Sequence, residues 1–202
     1  MTGQTSEKEK TAFIIVGLGN PGREYRGSRH NIGFMILDHL AKKLGITFSR
    51  LESKALVAKG ELQGHRLILA KPQTYMNLSG QAVGALVRFY KVPLENLLII
   101  YDDVDLPFET LRMRPSGGSA GQKGMQSIIT NLGSPDFNRL RIGVGRPPGQ
   151  MQAADYVLQD FSKAQLEVLP FILDQAVEAV TTFVSTGVEN AMNKYNAPLE
   201  PS

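Results

Sequence analysis

Cysteine is absent from the 202-residue sequence. The chain therefore has no disulfide framework, no thiolate zinc site and no catalytic thiol. Its length suits a single domain, and a domain of this size buries enough surface to fold without a disulfide or a metal. The lack of cysteine is compatible with a reducing compartment.

Long apolar runs are missing as well. No stretch approaches the roughly 20 apolar residues that a membrane span requires. The polar start MTGQTSEKEK lacks the apolar core of a signal peptide. We therefore expect a soluble, cytoplasmic protein with no membrane partner. Residues 1–11 are predicted to form a disordered tail, and residues 12–197 a single domain.

Acidic residues are scarce between positions 111 and 150, where Asp136 is the one acid. Six basic residues share this segment: Arg112, Arg114, Lys123, Arg139, Arg141 and Arg146. Such a bias is consistent with a solvated basic face or with a site for a polyanion. The predominance of arginine favours the second interpretation, because a guanidinium group binds phosphate through two hydrogen bonds.

Strand and helix patterns alternate along the chain and predict an α/β fold. Apolar or alternating segments predict strands at residues 13–16, 55–59, 66–70, 97–101, 111–114 and 140–144. Apolar residues at helical spacing predict helices that begin near Asn31, Ser79, Met125 and Ser162. We expect a single compact domain with a mixed, mostly parallel central sheet flanked by helices.

The segment FIIVGLGNPG at residues 13–22 contains G-x-G-x-x-G, the pattern of a dinucleotide-binding turn. Such a turn leads directly into a helix. Here residues 21–30 have no apolar periodicity, and the first helical residue is expected near Asn31. Asp38 lies within that predicted helix, whereas a ribose-binding acid would end a second strand. We therefore interpret the loop as one that places Asn20 and His30 at a site.

Six blocks of sequence resemble, in order, the motifs of bacterial-type peptidyl-tRNA hydrolases. They are VGLGNPGREYRGSRHNIGF (16–34), KPQTYMNLSG (71–80), YDDVDLP (101–107), GGSAGQKGMQSI (117–128), NRLRIGVGRPP (138–148) and DYVLQDF (155–161). The resemblance implies a monomeric enzyme that cleaves the ester between a peptide and the 3′ ribose of tRNA. Such an enzyme recycles tRNA from stalled or aborted translation and uses no metal or organic cofactor.

The resemblance implies catalytic roles for His30, Asp102 and Asn20. A histidine changes protonation state near neutral pH, which suits a general base that activates water. Asp102 would orient the imidazole and stabilise its charged form, as in two members of a serine triad. Asp103 and Asp105 are rivals for this role, but Asp102 is the one that aligns with the motif.

The resemblance also implies substrate contacts, and we expect them from five residues: Asn77, Met76, Tyr25, Asn31 and Lys123. Met76 is expected to pack against the catalytic histidine. An amide such as that of Asn77 both donates and accepts hydrogen bonds, so it suits the attacking water or the peptide backbone. We expect Ser79 to cap the following helix, which leaves Asn77 for the site.

Two arginines, Arg114 and Arg141, fall where the family has basic residues that bind the terminal phosphate of tRNA. Arg112 and Arg139 lie two positions away on the predicted strands. In a regular strand, residues two apart share a face. The resemblance therefore gives the basic segment a partner, the acceptor end of peptidyl-tRNA.

One block departs from the family pattern, because Gln122 and Lys123 stand where the family usually has histidine and asparagine. Lysine has no hydrogen-bond acceptor and carries a compact charge. Lys123 either donates to the ester carbonyl or a phosphate, or favours the neutral form of a nearby His30 by repulsion. The third possibility is a weakened hydrolase kept for RNA binding, as in a plastid splicing-factor branch of the family. Because His30 and its catalytic partners are retained, we favour an active enzyme.

Overall fold

A seven-stranded sheet forms the centre of the protein. The computed structural model describes residues 11–196. The strands in chain order are β1 (Ala12–Gly17), β2 (Arg50–Glu52), β3 (Ala55–Leu62), β4 (His65–Pro72), β5 (Leu97–Asp103), β6 (Leu111–Arg114) and β7 (Asn138–Gly143). Within the sheet they follow the order β2-β3-β4-β1-β5-β7-β6. Of the predicted tail (1–11) only Thr11 lies within the described residues, and position 197 lies outside them.

The four central strands β4, β1, β5 and β7 are parallel to one another. Strand β3 runs antiparallel between β2 and β4, and β6 is antiparallel to β7 at the opposite edge. This arrangement confirms the predicted α/β fold with a mixed, mostly parallel sheet. Strand β2 was not predicted, because its hairpin turn at Ser53 and Lys54 adopts positive φ angles without a glycine or asparagine to signal it.

Helices cover both faces of the sheet. They are α1 (Ile32–Leu44), α2 (Ser79–Tyr90), α3 (Lys123–Leu132), α4 (Ala153–Leu158), α5 (Lys163–Thr186) and α6 (Val188–Tyr195). Alternate residues of β1 separate the two cores: Ile15 packs with α1 and α5, whereas Ile14 packs with α2 and α3. The central strands β1 and β5 are buried on both sides, which explains why their sequences read as nearly continuous apolar runs.

The longest helix, α5, has 24 residues. By length and composition alone it is apolar enough to cross a membrane. Eight of its side chains, between Leu169 and Val184, are buried, and they belong to the core cluster that also contains α1. The helix begins next to Ser162, as predicted, and Ser162 caps it together with Gln165. Packing against the domain core therefore accounts for the apolar face of α5.

Ser79 does not have the predicted capping role. A short 3₁₀ helix at Met76–Leu78 leads directly into α2, so the chain is already helical when it reaches Ser79. The Ser79 hydroxyl is buried and donates to the carbonyl of Met76 at 2.8 Å. Asn77 is nevertheless available to the site, because its side chain caps neither helix and is exposed.

The glycine motif brings β1 into close contact with α1. A Cβ atom on Gly17 would lie 2.2 Å from the carbonyl oxygen of Gly33. A Cβ atom on Gly33 would lie 2.5 Å from the carbonyl oxygen of Ile100. Helix α1 begins at Ile32, well beyond the motif, as predicted. These glycines therefore allow α1 to pack closely against the sheet.

We expect the substitution Gly33→Ala to lower the free energy of unfolding by about 1–3 kcal/mol, because the added methyl group overpacks a backbone contact. Chemical denaturation of the purified variant measures this loss. Gly118→Ala is the matched control, since nothing lies within 4 Å of its Cβ position. A Gly33→Ala variant as stable as the parent would contradict the contact.

Candidate active site

A cleft of about 590 Å³ opens at the carboxyl ends of β1 and β5. These strands are adjacent in the sheet. Strands β2 to β4 lie on one side of β1, whereas β5 and the strands that follow it lie on the other side, so the strand order reverses between β1 and β5. Open α/β sheets bind ligands at such a reversal point. Six of the predicted site residues line the cleft: Asn20, His30, Met76, Asn77, Asp102 and Lys123.

The imidazole of His30 contacts the carboxylate of Asp102 at the base of this cleft. Nδ1 of His30 lies 2.8 Å from each carboxylate oxygen, and the side chains are 14% and 3% exposed. An ionised carboxylate accepts hydrogen bonds only, so Nδ1 carries the proton and Nε2 is left as an acceptor. Among residues 11–196, no third His, Asp or Glu completes a metal-binding group with this pair.

Asn20 is fixed by a main-chain group on the other side of the cleft. Its Oδ1 accepts a hydrogen bond of 2.8 Å from the amide of Met76. Since a main-chain amide only donates, this contact defines which side-chain atom is the oxygen. The amide nitrogen Nδ2 is then the polar group that Asn20 has left for the cleft.

Asn31 holds the Asn20 loop and does not line the cleft. Its Oδ1 accepts from the Asn20 amide at 2.8 Å, and its Nδ2 donates to the Asn20 carbonyl at 2.9 Å. The residue is 2% exposed. Because both ends of its amide are engaged, this geometry does not support the expected substrate contact and makes Asn31 a positioning residue.

Tyr25 also lies away from the cleft walls. It belongs to a short 3₁₀ helix, and its carbonyl accepts from the amide of Ser28 at 3.0 Å and from the hydroxyl of Ser28 at 2.9 Å. Its side chain is half-buried and is not part of the cleft lining. The structure therefore does not bring Tyr25 together with the other predicted site residues.

Gln122 is a site residue that sequence analysis did not assign. Its Oε1 caps α3 by accepting from the amide of Met125 at 2.7 Å. Its Nε2 lies 3.4 Å from the sulfur of Met76. Glutamine is not a favoured capping residue, so its type gave no signal. Lys123 follows it as the first residue of α3, and its side chain is exposed at the cleft.

The three acids at the end of β5 have three different partners. Asp102 contacts His30, as described above. Asp103 accepts a hydrogen bond of 2.6 Å from Nε of Arg141, and its side chain is 7% exposed. Asp105 pairs with Arg146 at 3.2 Å, where both side chains are exposed. Of the three rivals, Asp102 is thus the carboxylate that the fold brings to the imidazole.

The strand pair β6–β7 carries four arginines on one face. Its register places Arg112 opposite Arg141 and Arg114 opposite Arg139. Arg114 is exposed, and the Arg141 side chain is 22% exposed. The two residues predicted to bind phosphate therefore share a face and are accessible.

Arg139 has a structural role within this face. Its guanidinium group is buried and donates to the carbonyl oxygens of Gly117, Gly118 and Pro135 at distances of 2.7, 3.0 and 2.7 Å. Burial lowers the pKa of Arg139 from its usual value. Arg139 thus anchors the glycine-rich loop that leads to Lys123 and is not available to a ligand.

Comparisons with known proteins agree on one family. A family model described as peptidyl-tRNA hydrolase matches residues 14–202. Relatives of that name from Chloroflexus aggregans and Carboxydothermus hydrogenoformans are 52% and 51% identical over 185 residues, which cover 91% of this chain and 98% of each relative. The crystal structure of peptidyl-tRNA hydrolase from Acinetobacter baumannii gives a TM-score of 0.86 at 36% identity, covering 92% of this chain and 95% of that chain.

We expect Asn31→Asp to lower the free energy of unfolding by about 1–3 kcal/mol, because a carboxylate oxygen would then face the carbonyl of Asn20 without a proton between them. Thermal or chemical denaturation measures the loss. Asn77→Asp makes the same chemical change on an exposed side chain and should leave stability nearly unchanged. If instead Asn31→Asp is as stable as the parent, the positioning role is wrong.

Proposed function

The chain belongs to the peptidyl-tRNA hydrolase family, and on this basis we propose that it hydrolyses the ester between a peptide and the 3′ ribose of tRNA. The observation that carries the proposal is the contact of 2.8 Å between His30 and Asp102 at the cleft. The products of this hydrolysis are a free peptide and a tRNA that can be used again after translation has stalled or aborted. We place this activity in the cytoplasm, in a monomer that needs no metal.

In the proposed mechanism, His30 acts as the general base. Nε2 removes a proton from a water molecule while the water oxygen attacks the ester carbonyl. Asp102 stabilises the resulting imidazolium through Nδ1, as the buried acid does in a serine triad. The imidazolium then returns its proton to the 3′ oxygen of the ribose as the bond between carbon and oxygen breaks.

Donors around the cleft would stabilise the oxyanion and hold the peptide. The Nδ2 group of Asn20, the exposed amide of Asn77 and the ammonium of Lys123 are the groups proposed for this work. Charge that develops in a partly enclosed site responds strongly to such fixed donors. Met76 contributes through its main chain and its side chain: its amide holds the Asn20 side chain, and its buried sulfur lies 3.4 Å from Nε2 of Gln122.

The acceptor end of tRNA would be held by its terminal phosphate. Arg114 and Arg141 are accessible cations on the β6–β7 face, and the end of β5 joins that face to the cleft through Asp103. A phosphate contact of this kind positions the substrate without reading its bases. This supports recognition of many tRNAs by one site.

We expect His30→Ala to slow single-turnover release of tRNA from a blocked aminoacyl-tRNA by about 10²–10⁴-fold, the usual effect of losing a general base. Asp102→Asn should slow it as well, because it removes the charge that stabilises the imidazolium. His39→Ala is the matched control: this histidine lies in α1 and bonds to Asp174. Cleavage by His30→Ala at the parent rate would contradict the proposed mechanism.

The same assay separates the enzyme from the alternative, an RNA-binding protein that has kept the fold. The assembled His30–Asp102 pair favours the enzyme. Lys123→Asn restores the amide usual in the family, so parent and variant should both cleave. Tight tRNA binding by the parent without cleavage, and cleavage by Lys123→Asn, would instead establish the RNA-binding alternative.

Neutralising Arg114 should weaken substrate binding and reduce the slope of log affinity against log salt concentration by about 1, as the loss of one phosphate contact does. Binding of tRNA to Arg114→Gln, measured between low and moderate salt, tests this expectation. Arg66→Gln is a suitable control, since this exposed arginine lies on β4 away from the cleft lining. An unchanged slope for Arg114→Gln would remove it from the phosphate site.

A further inference from the structure

Asp103 is a nearly buried carboxylate that the hydrolytic mechanism does not use. It follows Asp102 in β5, and the two residues face opposite sides of the sheet because side chains alternate along a strand. Asp102 faces His30, whereas Asp103 faces the arginines of β6 and β7. One oxygen of Asp103 accepts from the amide of Asp105 at 2.8 Å, and the other accepts from Arg141 at 2.6 Å. The carboxylate is thus rigidly held.

The contact engages one edge of the Arg141 guanidinium group. Asp103 binds Nε, and within residues 11–196 no hydrogen bond engages Nη1 or Nη2 of Arg141. A guanidinium group has five N–H donors in a planar fork, so four remain. The edge formed by Nη1 and Nη2 is the one that suits a bidentate contact with a phosphate.

Charge on this face makes the position of Arg141 depend on Asp103. The register places Arg112 directly opposite Arg141. Like charges on opposed residues of a strand pair repel each other. Arg112 cannot offset this repulsion, because it carries the same charge as Arg141. Asp103 supplies the opposite charge and holds Nε of Arg141 at 2.6 Å.

We propose that Asp103 is a positioning residue that presents the Nη edge of Arg141 to the 5′-terminal phosphate of the substrate. It would thereby set the preference of the enzyme for a 5′-phosphorylated tRNA. This inference rests on the proposed function, because it takes Arg141 as a phosphate-binding residue. It adds a separate role for the second acid of the Asp102–Asp103 pair.

Steady-state kinetics with two substrates test the proposal. One is a blocked aminoacyl-tRNA with a 5′-phosphate, and the other is the same molecule with a 5′-hydroxyl. Asp103→Asn should raise KM for the phosphorylated substrate by about five- to tenfold, the effect of one lost charged hydrogen bond. Its kcat, and both constants for the 5′-hydroxyl substrate, should stay near those of the parent. Asp174→Asn, which removes the same charge from a surface ion pair on α5, should leave KM and kcat for both substrates unchanged.

Two further variants keep the test independent of folding defects. Asp103→Glu retains the charge and should keep the 5′-phosphate preference within about twofold. In an Arg141→Ala background, Asp103→Asn should have no additional effect, because the group that it positions is gone. Equal losses on both substrates, or additive effects of the two substitutions, would overturn the positioning role. A parent enzyme that cleaves both substrates alike would overturn the phosphate site and this inference, whereas failure to cleave either would overturn the proposed function.

Discussion

Two adjacent carboxylates at the end of one buried strand organise both halves of the site. The pleat of β5 directs Asp102 to the face covered by α1 and Asp103 to the face of the basic edge strands. A shift of one residue in the pairing of β5 would exchange these directions and separate His30 from its carboxylate. The parallel neighbours β1 and β7 fix that pairing from both sides. The proposed chemistry and the proposed phosphate recognition therefore depend on one strand register.

Buried polar side chains, rather than apolar packing alone, hold the walls of the cleft in place. Arg29, next to His30, donates to the carbonyls of Tyr156 and Gln159 and so attaches the 3₁₀ helix Arg29–Asn31 to α4 and its end. Asn31 binds the main chain of Asn20, and Arg139 binds the loop before α3. Each of these side chains bonds to main-chain groups of a loop or of a helix end, outside the regular ladder of the sheet. The loops thereby acquire the rigidity that a preformed site requires.

The sequence predicted six of the seven strands and the four longest helices, because their apolar spacing is strong, whereas β2, α4 and α6 are short and were not predicted. The ordered motifs named Asn20, Met76, Asn77, Asp102 and Lys123, which line the cleft with His30, and their roles stay predictions. What it could not predict is the direction of individual polar side chains. Asn31 and Asn77 are the same residue type in similar motifs, yet one is buried against main chain and the other is exposed. Gln122 was missed for a related reason: its cap and its contact with Met76 depend on tertiary placement.

The backbone contact between Gly17 and Gly33 has a consequence for substrate binding. His30 lies one turn before Gly33, so the position of its imidazole follows the position of α1 relative to the sheet. That position is fixed by main-chain atoms in contact, which have no rotamers to exchange. The His30–Asp102 pair is therefore assembled in the free protein, and an incoming substrate loses little affinity to the entropy of ordering it. More of the binding free energy is then available to hold the acceptor end of the tRNA in place.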